Sequence, residues 1–111
     1  MYVFLLIAEL GSKLVLVGRR GERLDAIKNT LKEDFPGVKV HTVAMSVSDT
    51  DAVAKLPDQL PSEFKNVELL VNNAGLALGL NKVQNNKQAD ATTMMDTNVI
   101  GTIAFCSAFL P

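Results

Sequence analysis

The residues whose types and order could serve a ligand site follow directly after an apolar run at residues 67–71. They are Asn72, Asn73, Ala74 and Gly75. An apolar run of this length, bounded by turn-forming residues, predicts a fully buried parallel strand. In open α/β sheets, ligands bind at the carboxyl ends of the strands. The four residues are also common in simple turns. Their order favours a ligand site over a simple turn, because small residues let a flat ligand approach the backbone and amides hold loops or polar ligand groups. We therefore expect one wall of a ligand site here.

Two arginines, Arg19 and Arg20, follow the first clear apolar strand, residues 13–18. In a dinucleotide-binding domain this position lies beside the adenosine ribose. An acidic residue there binds the 2′-hydroxyl of NAD, whereas arginine accommodates the 2′-phosphate of NADP. No acidic residue stands at the strand end, since Glu22 already belongs to the next element. Alone, the pair is compatible with two solvated charges in a turn. Combined with the strand before Asn72, it favours NADP.

Three further side chains have simpler interpretations. Asn98 lies within an otherwise apolar helical segment, where an amide costs stability unless it finds partners. By itself it predicts a buried amide bonded to a loop carbonyl. His41 is predicted to be a surface or partly packed strand residue, and Cys106 a buried, inert thiol. No second histidine or acidic cluster accompanies His41, so no metal site is predicted.

The elements that must position these residues alternate between helix and strand. A helix ending at Gly11 precedes the first strand, and apolar residues at spacings of three and four then predict an amphipathic helix that ends at Pro36-Gly37. There follow a strand at 38–44, a helix starting at the capping-box sequence 48–51 and broken by Pro57 and Pro61, the strand at 67–71, a surface loop at 81–90 and a last helix at about 91–110. This alternation predicts an α/β fold with a parallel sheet.

The sequence resembles the short-chain dehydrogenase/reductase family. The family's Asn-Asn-Ala-Gly signature stands intact at 72–75, and its Thr-Asn-Val-x-Gly surroundings stand at 97–101. The resemblance covers roughly residues 10–111. It implies a Rossmann-like fold and hydride transfer between a nicotinamide cofactor and an alcohol or carbonyl compound. From Leu14 to Gly79 the chain resembles the branch of the family that oxidises serine and 3-hydroxy acids.

The resemblance assigns roles on the nicotinamide side of the cofactor. It implies that Asn98 is the catalytic asparagine, which organises a proton-relay water. It further implies that Asn72 supports the cofactor and a neighbouring loop, while Ala74 and Gly75 let the nicotinamide-side ribose pass closely.

On the adenosine side, many family members carry an Arg-Arg pair where this sequence has Arg19 and Arg20, which implies NADP as the cofactor. Ser46 stands where the family usually has an aspartate that binds the adenine amino group. A serine hydroxyl replaces that carboxylate only in part.

Two parts of the family pattern are missing from these 111 residues. No glycines form the Thr-Gly-x-x-x-Gly-x-Gly turn that brings the cofactor pyrophosphate to a helix N-terminus. The catalytic Ser and the Tyr-x-x-x-Lys pair are absent too, and Tyr2 is the only tyrosine. We therefore expect a partial Rossmann-like parallel sheet with flanking helices, lacking the first strand and the Gly-rich turn. Without that strand, the strands at 13–18 and 67–71 should be left with unpaired edges or be forced together.

Composition narrows the remaining possibilities. With 111 residues the chain is long enough for one domain, predicted as a single partial dinucleotide-binding domain over residues 1–111. The 11 basic and 12 acidic residues are interleaved, with a formal net charge of −1. No basic patch of the kind that binds nucleic acid or an anionic membrane is evident. The apolar N-terminus lacks a basic leader and is too short to span a bilayer, so a cytoplasmic location is predicted.

Two functions from different classes follow. The first is a fragment of an NADP-dependent oxidoreductase acting on a small alcohol or carbonyl compound such as a 3-hydroxy acid or serine, inactive alone without the Tyr/Lys pair. The second is a non-enzymatic interaction module. The last helix, residues 91–110, is apolar almost all round and must be covered on more than one face. It resembles the helix through which family members dimerise, which predicts pairing with like copies or with a full-length relative.

Overall fold

The computed structural model describes residues 13–79 and 82–111. They fall into two compact units, one of the described residues up to Ser46 with Pro61–Asn66, and one of Val47–Leu60 with Val67–Pro111. The predicted helix that ends at Gly11 lies outside the described residues. A single dinucleotide-binding domain over residues 1–111 stays a prediction.

The first unit is a β-α-β arrangement. Strand β1 (Leu14–Gly18) is followed by helix α1 (Gly21–Asp34) and strand β2 (Val40–Ala44), and the two strands pair in parallel in the register from Leu14↔Val40 to Gly18↔Ala44. Parallel strands require a crossover, which α1 supplies. The predicted amphipathic pattern of α1 is confirmed, because its apolar face packs with the sheet in one buried cluster. That cluster consists of Leu14, Leu16, Leu24, Leu31, Val38 and Val40.

The second unit is helical. Helix α2 (Thr50–Gln59) begins at Asp49, whose carboxylate accepts a hydrogen bond from the Ala52 N–H at 3.2 Å. The last helix is continuous through three segments: α3 (Gln88–Met95), a π-helical segment (Asp96–Ile100) and α4 (Gly101–Phe109). Helices α2 and α4 pack against each other. Short 3₁₀ turns also occur, Ser62–Phe64 in the first unit and Val83–Asn85 in the second.

The described residues therefore form an α/β fragment with a parallel sheet and flanking helices, as the sequence predicts. The buried strand at 67–71 is a wrong prediction, since this run belongs to no strand and Leu69 is 69% exposed. The physical reason is that a strand exists only with a hydrogen-bonded neighbour. Among residues 13–79 and 82–111 the strands are β1 and β2, which pair with each other, so this run has no neighbouring strand there. The sequence predicts that the runs at 13–18 and 67–71 either have unpaired edges or pair with each other. Residues 67–71 are unpaired.

Two smaller predictions are also corrected. Pro57 lies inside α2 without breaking it, because it sits near the end of the helix and removes a single backbone bond. The bond that ends the helix, from the Leu60 N–H to the Leu56 carbonyl, is kept at 3.1 Å. The polar loop predicted at 81–90 ends early, since a 3₁₀ turn and the first residues of α3 lie within it. Across the described ranges, no helix is long and apolar enough to cross a membrane.

Candidate functional site

The adenosine-side candidates lie at one edge of the parallel sheet in the first unit. Arg19 and Arg20 follow the end of β1, and Ser46 comes two residues after the end of β2. The Met45 N–H donates to the Gly18 carbonyl at 2.8 Å, so strand pairing extends one bond beyond β2. Because the carboxyl ends of parallel strands share an edge, both arginines and the half-buried Ser46 lie at the carboxyl edge of this sheet, the edge at which ligands bind in open α/β folds.

The charge at this edge is positive. Arg20 is the N-cap of α1 and its own side chain does not cap the helix; its carbonyl accepts from the backbone N–H groups of Arg23 and Leu24. A helix N-terminus carries about half a positive charge, which adds to the two exposed guanidinium groups. Glu22 in the first turn opposes this charge in part. Two arginines beside a helix N-terminus suit a phosphate group, for which guanidinium offers paired donors.

The nicotinamide-side candidates lie in the second unit, and the Asn98 amide is central to them. Its Oδ1 accepts from the Leu76 N–H at 2.9 Å, and its Nδ2 donates to the Leu76 carbonyl at 2.8 Å. Both polar groups of one loop residue are thus satisfied by one side chain. An amide bonded to a loop carbonyl is what Asn98 predicts by itself, although the residue is exposed rather than buried.

The residues before Leu76 lie beside this pair. Ala74 and Gly75 are exposed, and a Cβ added to Gly75 would lie 3.4 Å from Asn98 Oδ1. Asn72 Nδ2 donates to Cys106 Sγ at 3.6 Å, which links the start of the segment to α4. Cys106 is half-buried rather than buried as predicted, because it lies on the side of the helix that faces this loop.

Two functional features were missed by sequence reasoning. The Leu78 N–H donates to Met94 Sδ at 3.3 Å, a second side-chain bond from the last helix to the same loop. This bond has no marker in the sequence, because the partner of Met94 is a backbone N–H 16 residues earlier in the chain. Gly101 is the other. A Cβ there would lie 2.8 Å from the Val47 carbonyl oxygen, so the helix approaches this backbone at a distance that only glycine permits.

The backbone around Asn98 is itself irregular. Residues Asp96–Ile100 form a π-helical segment, and the Asn98 carbonyl accepts from the Thr102 hydroxyl at 3.0 Å. Such segments are rare and often occur at functional sites. Each i→i+5 bond of this segment encloses one residue more than an α-helical bond, which alters which side chains share a face, so the orientation of Asn98 depends on it.

The predicted site residues thus form two groups. Arg19, Arg20 and Ser46 belong to the first unit, whereas Asn72, Ala74, Gly75 and Asn98 belong to the second. His41 is not among these residues. Its ring packs against Phe64 with centroids 5.6 Å apart, as expected of a partly packed histidine. Within residues 13–79 and 82–111, no three His, Cys, Asp or Glu side chains gather as a metal site would require.

A parallel sheet whose carboxyl edge bears the polar residues defines a Rossmann-like, nucleotide-binding class of fold. Comparison with known proteins gives the family. The family model for short chain dehydrogenases matches residues 3–111. The chain belongs to the short-chain dehydrogenase family.

Individual relatives agree with this assignment. The chain is 43% identical over 104 residues to sulfoacetaldehyde reductase 2 of Chromohalobacter salexigens. The aligned region covers 94% of this chain and 40% of that protein. The chain is 39% identical over 99 residues to an NADP-dependent 3-hydroxy acid dehydrogenase of Schizosaccharomyces pombe, covering 89% of this chain and 38% of that one. The crystal structure of serine dehydrogenase from Escherichia coli superposes with a TM-score of 0.85 at 33% identity, covering 98% of this chain and 48% of that one. The chain thus spans about 40% of the length of these curated relatives.

Proposed function

We propose that this chain carries the NADP-binding part of an oxidoreductase that transfers hydride between NADP and a small alcohol or carbonyl compound. The observation that carries the proposal is the position of Arg19 and Arg20 at the carboxyl edge of the parallel sheet, beside the N-terminus of α1. Membership of the short-chain dehydrogenase family supports it, as does a relative whose name specifies NADP dependence.

The residues of each unit, taken separately, fit one part of this cofactor. The two exposed guanidinium groups would hold the 2′-phosphate of NADP, and Ser46 would contribute one hydroxyl toward the adenine. In the second unit, the small residues Ala74 and Gly75 would admit the ribose on the nicotinamide side. When bound, the cofactor supplies the hydride donor or acceptor. The chain's own contribution is to bind and orient it.

Asn98 has a positioning part in this proposal. Its side-chain oxygen and nitrogen each make one hydrogen bond to Leu76, at 2.9 and 2.8 Å, so it fixes the loop that follows Gly75. The catalytic role that the family resemblance implies for Asn98 stays a prediction. Holding the loop in one conformation is the contribution that these two hydrogen bonds support.

The 111 residues do not contain the family's proton donor. The family's proton donor is a tyrosine followed four residues later by a lysine, and the only tyrosine here is Tyr2, which is followed at that distance by Leu6. We therefore expect the purified 111-residue chain to bind cofactor without turning over substrate. By analogy with the relatives' names, a 3-hydroxy acid or serine is the proposed substrate class of the complete enzyme. Its cytoplasmic location stays a prediction.

The test is a calorimetric titration of the purified chain with NADPH and, separately, with NADH. Saturable binding of NADPH with at least tenfold weaker binding of NADH is expected, because the two cofactors differ only in the phosphate that the arginines would hold. Equal affinity for both would overturn the NADP assignment. Absence of binding at millimolar NADPH would overturn the cofactor-binding proposal as a whole.

A second candidate function is supported by the surface of the last helix. Large apolar side chains are exposed along it: Met95, Val99, Ile100, Ile103 and Leu110 are 54%, 39%, 43%, 57% and 63% exposed. Beside them, a groove of about 440 Å³ between α2 and α4 is lined by small residues, namely Thr50, Ala54, Ala104, Ser107 and Ala108. Contiguous exposed apolar surface is typical of an interaction site.

The occupant we propose for this surface is the equivalent helix of a full-length relative, so that the chain would act as an interaction module. Co-expression with the full-length relative followed by size-exclusion chromatography tests it. Co-elution that is lost in the Ile103→Asp variant is the expected result, since a charge would have to be buried in the interface. Separate elution of the two unmodified proteins would exclude this function.

A further inference from the structure

The loop that follows Gly75 is bonded to the last helix by side chains in a regular pattern. Asn98 bonds the N–H and the carbonyl of Leu76, and Met94 Sδ accepts from the N–H of Leu78 at 3.3 Å. In an extended chain the polar groups of residues i and i+2 face the same side, and those of residue i+1 face the other. The bonding of Leu76 and Leu78 to the same helix matches this alternation.

The order of the contacts gives the direction of the loop. Asn98 contacts Leu76 and Met94 contacts Leu78, so the loop runs antiparallel to the helix with one helical turn for each pair of loop residues. Two side chains of the helix therefore bond the backbone of Leu76 and Leu78, which belong to no strand.

We propose that Met94 is a positioning residue for the loop after Gly75, acting through its thioether as a hydrogen-bond acceptor for the Leu78 N–H. Its function for the protein rests on the proposed function, in which that loop forms one wall of the cofactor site. Packing alone does not require methionine at this position, since leucine fills a similar volume. The acceptor atom is what distinguishes methionine, although thioether sulfur is a weak acceptor.

Three variants separate the acceptor from the packing. Met94→Leu removes the acceptor, and Met94→Gln supplies an amide oxygen on a side chain of similar length. The three residues have nearly equal helix propensity, so the helix itself is unaffected. Met95→Leu is the matched control, because the adjacent Met95 is 54% exposed. The amide of Val53, a fully buried residue of α2 in the same unit whose N–H bonds the Asp49 carbonyl at 3.0 Å, reports whether each variant is folded.

The experiment is amide hydrogen exchange by NMR on the ¹⁵N-labelled chain without cofactor. Met94→Leu should accelerate exchange at Leu78 about three- to tenfold, as expected for loss of one weak hydrogen bond. Leu76, which Asn98 holds, should change less than Leu78. Met94→Gln should return Leu78 to within about twofold of the unmodified chain, and Met95→Leu should leave it unchanged.

Two results would overturn the proposal. One is unchanged exchange at Leu78 in Met94→Leu; the other is equal acceleration at Leu76 and Leu78 without rescue by Met94→Gln, which is the signature of lost packing. A parallel NADPH titration separates this proposal from the proposed function. If Leu78 exchange were accelerated in Met94→Leu while the NADPH affinity was unchanged, the result would support Met94 as the residue that holds the loop. It would contradict the proposal that the loop is part of the cofactor site.

Discussion

The Asn98 side chain and the Leu76 backbone form a closed pair of hydrogen bonds, 2.9 Å from the Leu76 N–H to Oδ1 and 2.8 Å from Nδ2 to the Leu76 carbonyl. The pair reproduces, between a side chain and a loop, the two-bond exchange of residues in an antiparallel ladder. It explains how a segment without strand partners is fixed beside a helix. The conformation of residues 72–78 therefore depends on side chains 16 or more positions further along the chain.

Replacing Asn98 should release this loop. Asn98→Ala removes both bonds, and at about 0.5–1.5 kcal/mol each the free energy of opening the loop should fall by about 1–3 kcal/mol. Asn98→Asp keeps an acceptor for the Leu76 N–H but turns a carboxylate oxygen toward the Leu76 carbonyl, so it should open the loop as well. Limited proteolysis between residues 72 and 79 measures the effect, with Asn85→Ala as the control. Equal cleavage rates in all four proteins would contradict the role of this pair.

Gly101 should tolerate no side chain. A Cβ would lie 2.8 Å from the Val47 carbonyl oxygen and 3.3 Å from that of Asp96, and backbone atoms cannot move aside as a side chain can. Gly101→Ala should therefore lower the free energy of unfolding by about 1–3 kcal/mol, despite the roughly 1 kcal/mol by which alanine favours a helix over glycine. Urea unfolding followed by circular dichroism measures this change. A Gly101→Ala variant more stable than the unmodified chain would show that α4 does not approach Val47 closely.

Asp49 should contribute to stability through its cap of α2. Its carboxylate accepts from the Ala52 N–H at 3.2 Å, and loss of an N-cap typically costs about 1 kcal/mol. Asp49→Ala is expected to lower the free energy of unfolding by this amount, whereas Asp49→Asn keeps an acceptor and should cost much less. The difference between the two variants in urea unfolding isolates the cap. If both were equally destabilised, charge at this position would matter rather than the hydrogen bond.

The parts of the fold that depend on local patterns were predicted from the sequence. The spacing of Leu24 and Leu31 predicts α1, and the apolar run after Lys13 predicts β1, because both signals lie within a few neighbouring residues. The register of β1 with β2 could not be predicted from such local patterns. The run at 67–71 has as strong a strand pattern as β1, yet it forms no strand, because pairing depends on a neighbour elsewhere in the chain.

For the candidate site, the residue types were more predictable than their contacts. The amide pair of Asn98 with a loop was expected from the cost of an unsatisfied mid-helix amide, but its partner, Leu76, carries no signal in its own side chain. The π-helical segment has no sequence marker either. Gly101 and Met94 owe their importance to what lies opposite them, the Val47 carbonyl and the Leu78 N–H, which periodicity does not reveal.

The most direct test of the central claim, that Arg19 and Arg20 bind the 2′-phosphate of NADP, uses two ligands that reach the adenosine side alone. Adenosine 2′,5′-bisphosphate and adenosine 5′-monophosphate, titrated by calorimetry, differ only in that phosphate. The chain should bind the bisphosphate at least tenfold more tightly, since charged hydrogen bonds contribute about 1.5–3 kcal/mol. The preference should vanish when both arginines are replaced by alanine and persist in Lys32→Ala, which removes a cation from the far end of α1. Equal affinity of the unmodified chain for the two ligands would contradict the account.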